Sequence, residues 1–196
     1  MTFYNFARGL VSIVFRAMFR IKIKGKEYIP TKGRVVICSN HVSLLDPITV
    51  AIAVPRQVFF MAKKELFNSK LLGPIIKKLG AFPVDREGAD LAAVRSALKI
   101  LKNEQALGIF PEGTRIKDQD INNAKPGIAM MSIKGKASIV PIYIDSQYKI
   151  FKEIAVTIGE TISLEEYFEK KLSIEDYTEI SKKVMDKIYD LKKLEN

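Results

Sequence analysis

Arg34-Val35-Val36-Ile37-Cys38 is a short apolar run that stops at Ser39-Asn40-His41 and is followed by Asp46-Pro47. A β-branched run of this length reads as a buried strand. Asp-Pro reads as a helix start, with Asp46 at the N-cap and Pro47 at the first helical position. Strand, polar turn and helix therefore follow one another directly, and the pattern repeats along the chain. Strands are expected at Ile21 to Gly25, Val58 to Met61, Gly80 to Arg86, Leu107 to Phe110, Ser138 to Ile144 and Ile154 to Ile158. Helices are expected from Pro47 to Val54, from Ala62 to a break at Gly73-Pro74, from Ala89 to Lys102, and through Ile133 after Lys125-Pro126-Gly127. Ser163 and Ser173 each open a capping-box pattern for a short and a long final helix. Such alternation predicts an α/β fold: a single-domain layered sandwich with a largely parallel or mixed central sheet flanked by helices.

In sheets of this kind ligands collect beyond the carboxyl ends of the strands. The polar turns expected there carry His41, Lys63 and Lys64, Arg86, and Glu112 to Arg115. His41 is the only histidine in 196 residues, and it stands five positions before Asp46. On one regular helix that spacing separates two residues by about 140°; across a turn they can face each other. Two readings are open. His41 and Asp46 are a structural histidine and a simple helix cap, or they are an imidazole base and the carboxylate that fixes its tautomer. Arginines and lysines beside such a base suit a phosphate-bearing substrate, because guanidinium grips phosphate oxygens in a fork. Taken singly, each arginine reads more readily as a solvated surface residue. Ser43 lacks the elbow of a hydrolase nucleophile.

The formal net charge of +10 points to a polyanionic partner. No helix-turn-helix or aromatic stacking pattern accompanies it, so nucleic acid is not the expected partner. One cysteine, Cys38, permits no internal disulfide and no cysteine-rich zinc site.

Residues 1–20 are set apart as an amphipathic helix preceding a domain at 21–196. Asn5, Arg8, Gly9, Ser12, Arg16 and Arg20 share one sector, and apolar residues cover the rest. A spanning helix would carry Arg8 and Arg16 into hydrocarbon, and a signal peptide would need an early basic region and a cleavage site that are missing. An in-plane helix at a membrane surface and a helix docked on its own domain both fit, and they can coexist.

The motifs then converge on a known family. Asn40-His41-Val42-Ser43-Leu44-Leu45-Asp46 resembles the H-x4-D motif of the glycerolipid acyltransferases, the 1-acyl-glycerol-3-phosphate (lysophosphatidic acid) acyltransferase family. Gly80 to Arg86 resembles its G-x-F/I-x-x-x-R block, Phe110-Pro111-Glu112-Gly113-Thr114-Arg115 its F-P-E-G-T-R block, and Val140-Pro141-Ile142 its late V-P-I block. Four blocks in order span roughly residues 25–160. The resemblance implies His41 as general base with Asp46 orienting it. It implies an acceptor-binding surface of Arg86, Glu112, Gly113, Thr114 and Arg115, helped by Asn40, Lys63 and Lys64. The implied reaction acylates the sn-2 hydroxyl of lysophosphatidic acid from an acyl thioester, with acyl carrier protein or coenzyme A as carrier. It needs no metal, no cofactor beyond that co-substrate and no acyl-enzyme. The implied location is the cytoplasmic face of the cell membrane. Ile116 stands where many members carry serine, and Pro83 interrupts an apolar strand; both leave the acceptor open, since relatives acylate other lysolipids with the same blocks. Two other classes compete: a non-catalytic module that binds anionic lipid or nucleic acid, and a thioester hydrolase using the same base on water.

Overall fold

A computed structural model describes residues 3–85, 90–116 and 118–194. Seven strands form one sheet: β1 (Arg20–Lys24), β2 (Val35–Ser39), β3 (Val58–Lys63), β4 (Phe82–Val84), β5 (Ala106–Ile109), β6 (Ser138–Ser146) and β7 (Glu153–Ile158). Their spatial order is β1-β7-β6-β2-β5-β3-β4. Every neighbouring pair is parallel except β6–β7. The mixed, mostly parallel sheet expected from the alternation is the one observed.

The α-helices among the described residues are α1 (Phe3–Met18), α2 (Asp46–Ala53), α3 (Leu72–Lys78), α4 (Leu91–Lys102), α5 (Gly127–Gly135) and α6 (Ile174–Asp190). Side chains alternate across a strand, and here the alternation divides the core in two. Val36, Cys38, Leu107 and Ile139 face one way and pack with Ala97 and Leu101 of α4, Ile128 and Met131 of α5, and Ile180, Val184 and Ile188 of α6. Val35, Ile37, Ala106, Val140 and Ile142 face the other way and pack with Val50, Ile52 and Ala53 of α2 and with Phe15 and Phe19 at the end of α1. Every residue of β2 is buried, as a central strand covered on both faces requires. Edge strand β1 alternates exposed and half-buried residues. Pro83 lies on β4, the opposite edge, where a strand tolerates a missing N–H donor.

Three expected details change. Lys63 belongs to β3, and residues Lys64–Asn68 form a 3-10 turn before α3 begins. Gly73-Pro74 therefore lies in the first turn of a helix, where proline costs no hydrogen bond, and does not break one. On α4, Ala93, Ala97 and Leu101 are buried and Val94 and Leu98 pack beside them on the core, while Leu91, the first of the apolar residues at helical spacing, is exposed. The pattern at Ser163 yields only a 3-10 turn at Glu165–Tyr167, with no side-chain cap. At Ser173 the capping box is complete: the Asp176 N–H donates to Ser173 Oγ and the Ser173 N–H to Asp176 Oδ2.

Helix α1 is docked on the domain through Tyr4 and Phe15, with Phe19 just beyond its end. Arg8 turns inward and donates to the Ile52 carbonyl in the last turn of α2 at 3.2 Å, a favourable place for a cation. Phe6, Leu10, Ile13 and Val14 remain on the exposed side. No helix among the described residues is long and apolar enough to cross a membrane.

Candidate active site

Strand β2 delivers Ser39-Asn40-His41 to its carboxyl end, between β6 and β5. Asn40 anchors this turn. Its Nδ2 donates to the Ile144 carbonyl at 2.9 Å, and its Oδ1 accepts from the Ile144 N–H at 2.8 Å, so its buried amide clamps β2 to β6. The His41 N–H donates to Glu112 Oε1 at 3.3 Å, and its carbonyl accepts from the Ile116 N–H at 2.9 Å. These two bonds tie the histidine to both sides of the Glu112 turn. The imidazole stacks on Phe110 at 4.2 Å between centroids, and Phe110 stacks in turn on Phe60 at 5.8 Å.

His41 Nδ1 lies 2.8 Å from Asp46 Oδ2. A carboxylate only accepts, so Nδ1 carries the ring proton and Nε2 is left with its lone pair. The N-cap assignment for Asp46 is corrected here: Leu45 holds the N-cap position and Asp46 is the first helical residue. Its carboxylate reaches back into the turn, where Oδ2 also accepts the Val42 and Ser43 N–H groups at 2.7 Å each. Tyr148 completes the set by donating its hydroxyl to Oδ1 at 2.6 Å. Asp46 has no solvent exposure, and four donors together with the positive end of α2 compensate its charge. Its carboxylate is held in a finished socket.

The F-P-E-G-T-R turn divides by depth. Glu112 is buried; Oε1 takes the His41 N–H and a long bond of 3.5 Å from the Tyr189 hydroxyl, and Oε2 meets no partner among the described residues. Burial, more than any charge, pushes its carboxyl up to about 7, and the His41 N–H only partly offsets this. Gly113 adopts φ of +67°, a conformation that favours glycine, and so turns the chain outward. Thr114 and Arg115 stand exposed beyond it. Lys63, the last residue of β3, and Lys64, the first of the turn after it, stand at the same carboxyl edge; Lys63 lies 3.7 Å from Glu65, and Lys64 pairs with Asp85 at 2.5 Å. Arg86, expected beside them, lies outside the described residues. Lys63 sits opposite Val84 in the β3–β4 register, two positions before it.

The structure thus joins His41, Asp46, Asn40 and Glu112 in one bonded cluster, with Gly113, Thr114 and Arg115 at its rim and the two lysines two strands away. Sequence reasoning missed Tyr148, Tyr189 and the stacking role of Phe110. Tyr148 had one available signal, its place just past the carboxyl end of β6, at the edge where the other polar groups converge.

An acyltransferase family model matches residues 20–145. The 1-acyl-sn-glycerol-3-phosphate acyltransferase of Bacillus subtilis is 36% identical over 139 residues, covering 70% of this chain and 69% of that protein. The enzyme of that name from Streptococcus pneumoniae is 33% identical over 144 residues, covering 71% of this chain and 53% of its own length. The crystal structure of the 1-acyl-sn-glycerophosphate acyltransferase from Thermotoga maritima superposes with a TM-score of 0.70 at 23% identity, covering all of this chain and 84% of that one, a likeness of fold.

Proposed function

This chain belongs to the acyltransferase family, and from that premise we propose that it transfers a fatty acyl group from a thioester to the sn-2 hydroxyl of 1-acyl-sn-glycerol 3-phosphate, giving phosphatidic acid. The observation that carries the reading is the 2.8 Å contact between His41 Nδ1 and Asp46 Oδ2, which fixes the tautomer that leaves Nε2 basic. In this mechanism Nε2 takes the proton of the acceptor hydroxyl as its oxygen attacks the thioester carbonyl carbon. The C–S bond then breaks as the tetrahedral intermediate collapses, and the imidazolium returns the proton to the departing thiolate. Asp46 stays ionised throughout and steadies the positive ring.

Acceptor recognition is assigned to the rim. Arg115 would hold the phosphate with the exposed Gly113-Thr114 backbone beside it, and Arg86 is added on its motif position alone. Lys63 and Lys64 supply point charge. Asn40 and Glu112 serve from inside, through the backbone of residues 144 and 41. The acyl carrier is either acyl carrier protein or coenzyme A, since both present the same kind of thioester. The enzyme would work on the cytoplasmic membrane surface, with the exposed apolar side of α1 in the interface; that exposed side and the absence of a spanning helix among the described residues support this.

The test is a product assay with lysophosphatidic acid in mixed micelles and a labelled acyl thioester, run beside other lysolipids and with each carrier. Wild type is expected to make phosphatidic acid, and His41→Ala to lose about 10²–10⁴ in rate while still binding lysolipid. Equal turnover by both would remove the base; free fatty acid in place of phospholipid would make the protein a thioesterase; product from another lysolipid alone would reassign the acceptor.

A further inference from the structure

The geometry points to Tyr148 as a positioning residue of this site, one that caps the remaining oxygen of Asp46 and thereby sets the orientation and basicity of the His41 ring. The inference rests on the reading of His41 as the base. Asp46 is wholly buried, and three of its four donors crowd onto Oδ2. Oδ1 has the Tyr148 hydroxyl, at 2.6 Å. Thr49, on α2, lies 3.0 Å from the same phenol oxygen. The phenol has one proton and gives it to the carboxylate, so Thr49 must donate, which fixes the direction of the O–H bond.

The backbone is committed to this aim. Tyr148 has φ of +50°, unusual for a bulky residue, and its N–H is held by Ser146 Oγ at 2.9 Å. Three residues on, Phe151 has φ of +63°, and its N–H donates to the Met18 carbonyl at 2.7 Å, strapping the β6–β7 loop to the end of α1. Phe19 closes edge-on against the Tyr148 ring at 6.2 Å and 89°. A ring packed against Phe19, with its hydroxyl bonded to Thr49 and its backbone in a costly conformation, delivers one hydroxyl to one carboxylate oxygen.

A donor on Oδ1 draws charge away from the face of Asp46 that meets the imidazole. Without it, the carboxylate pulls harder on Nδ1–H, and the imidazolium keeps its second proton to higher pH. That would deplete the basic form and slow return of the proton to the thiolate. Among the described residues, the other ionisable groups near the pair are Glu112, bonded to the His41 N–H, with Tyr189 bonded to Glu112 and the buried Cys38 thiol within its electrostatic reach. All three are untouched by Tyr148→Phe, which keeps the ring and its packing.

Glu112 also titrates near neutrality, so a rate profile alone would mix two groups. The untagged chain has a single histidine, so its ring signals in NMR report this imidazole and nothing else. Tyr148→Phe is expected to raise the midpoint of that titration by about 0.3–1 pH unit, with kcat down roughly tenfold and KM within about threefold of wild type. Thr49→Val, which keeps shape and removes the donor to the phenol, is expected to shift the midpoint the same way by less. If His41→Ala is inactive while Tyr148→Phe matches wild type in midpoint, the dyad stands and the role of Tyr148 is overturned, whatever its thermal stability. Turnover retained by His41→Ala would overturn both.

Discussion

Glu112 is a carboxyl at the centre of the F-P-E-G-T-R turn that faces inward, only 2% exposed, with one oxygen meeting no partner among the described residues. Its pKa, ordinarily 4.5, is pushed up by burial to about 7. Between those values the folded chain holds a proton that the unfolded chain has lost, so stability falls as pH rises through that window. The loss amounts to about 3 kcal/mol and is complete above roughly pH 8. Glu112→Gln, neutral at every pH, should therefore be less sensitive to pH than wild type. Denaturant midpoints of the two proteins at pH 5 and pH 8 check this; parallel losses would mean that the carboxyl titrates like a surface glutamate. This residue also marks the limit of reading the site from sequence. The motif put Glu112 on the turn after β5 but could not show that its oxygen points at the His41 backbone, because depth is a property of packing. Asp46 taught the same lesson: local helix grammar assigned it a cap, whereas its carboxylate is taken up by the preceding turn. Tyr148 lies 102 residues from Asp46, and no spacing rule connects them.

Among the elements, β5 is the one whose composition looks weakest and is most constrained. Gly108 is a glycine inside a central strand, which lowers strand propensity, yet a Cβ there would stand 2.3 Å from the Phe60 ring and 2.8 Å from Val58. Phe60 is the outer member of the stack that continues through Phe110 to His41. Gly108→Ala should displace Phe60, cost about 1–3 kcal/mol of stability, and lower kcat more than the loss of folded protein explains. Thermal melts with kcat normalised to folded enzyme measure both, and a variant that is less stable but fully active would detach the stack from catalysis. Strands such as β2 and β7 were legible because short β-branched runs bounded by turns have one comfortable state. The exposure of Leu91 was not, since leucines at helical spacing mark an apolar stripe without saying where along the helix the core ends. Helix α3 was misread because Gly-Pro opens a helix as readily as it ends one, and only the chain before it decides.

For the whole molecule, the carboxyl edge of the sheet collects the chemistry while one flank collects exposed apolar surface. Phe6, Leu10, Ile13 and Val14 line the outer side of α1, Phe151 adjoins its end through the bond to Met18, and Lys78 of α3 lies 5.7 Å from the Phe3 ring at its start. The Phe151 loop is also the one that carries Tyr148, so this flank and the dyad share a segment of chain. With a net charge of +10, adsorption to an anionic bilayer should have two separable parts. Coulomb attraction between exposed charges is screened as the Debye length falls from about 10 Å at 0.1 M salt to about 3 Å at 1 M. Burial of apolar side chains is not weakened by salt in this way, and each inserted Leu or Ile adds about 1.5–3 kcal/mol when fully buried. Wild type is therefore expected to lose part of its affinity for anionic vesicles between those salt concentrations and to keep a residue of binding equal to that for zwitterionic vesicles. Leu10→Ser with Ile13→Ser, both on exposed positions and so sparing the core, should retain the salt-sensitive part and lose the residue by roughly tenfold or more per side chain. Vesicle flotation at the two salt concentrations reads both parts. If the double variant and wild type bound equally at high salt, α1 would not enter the bilayer, and the protein would meet a membrane through charge alone.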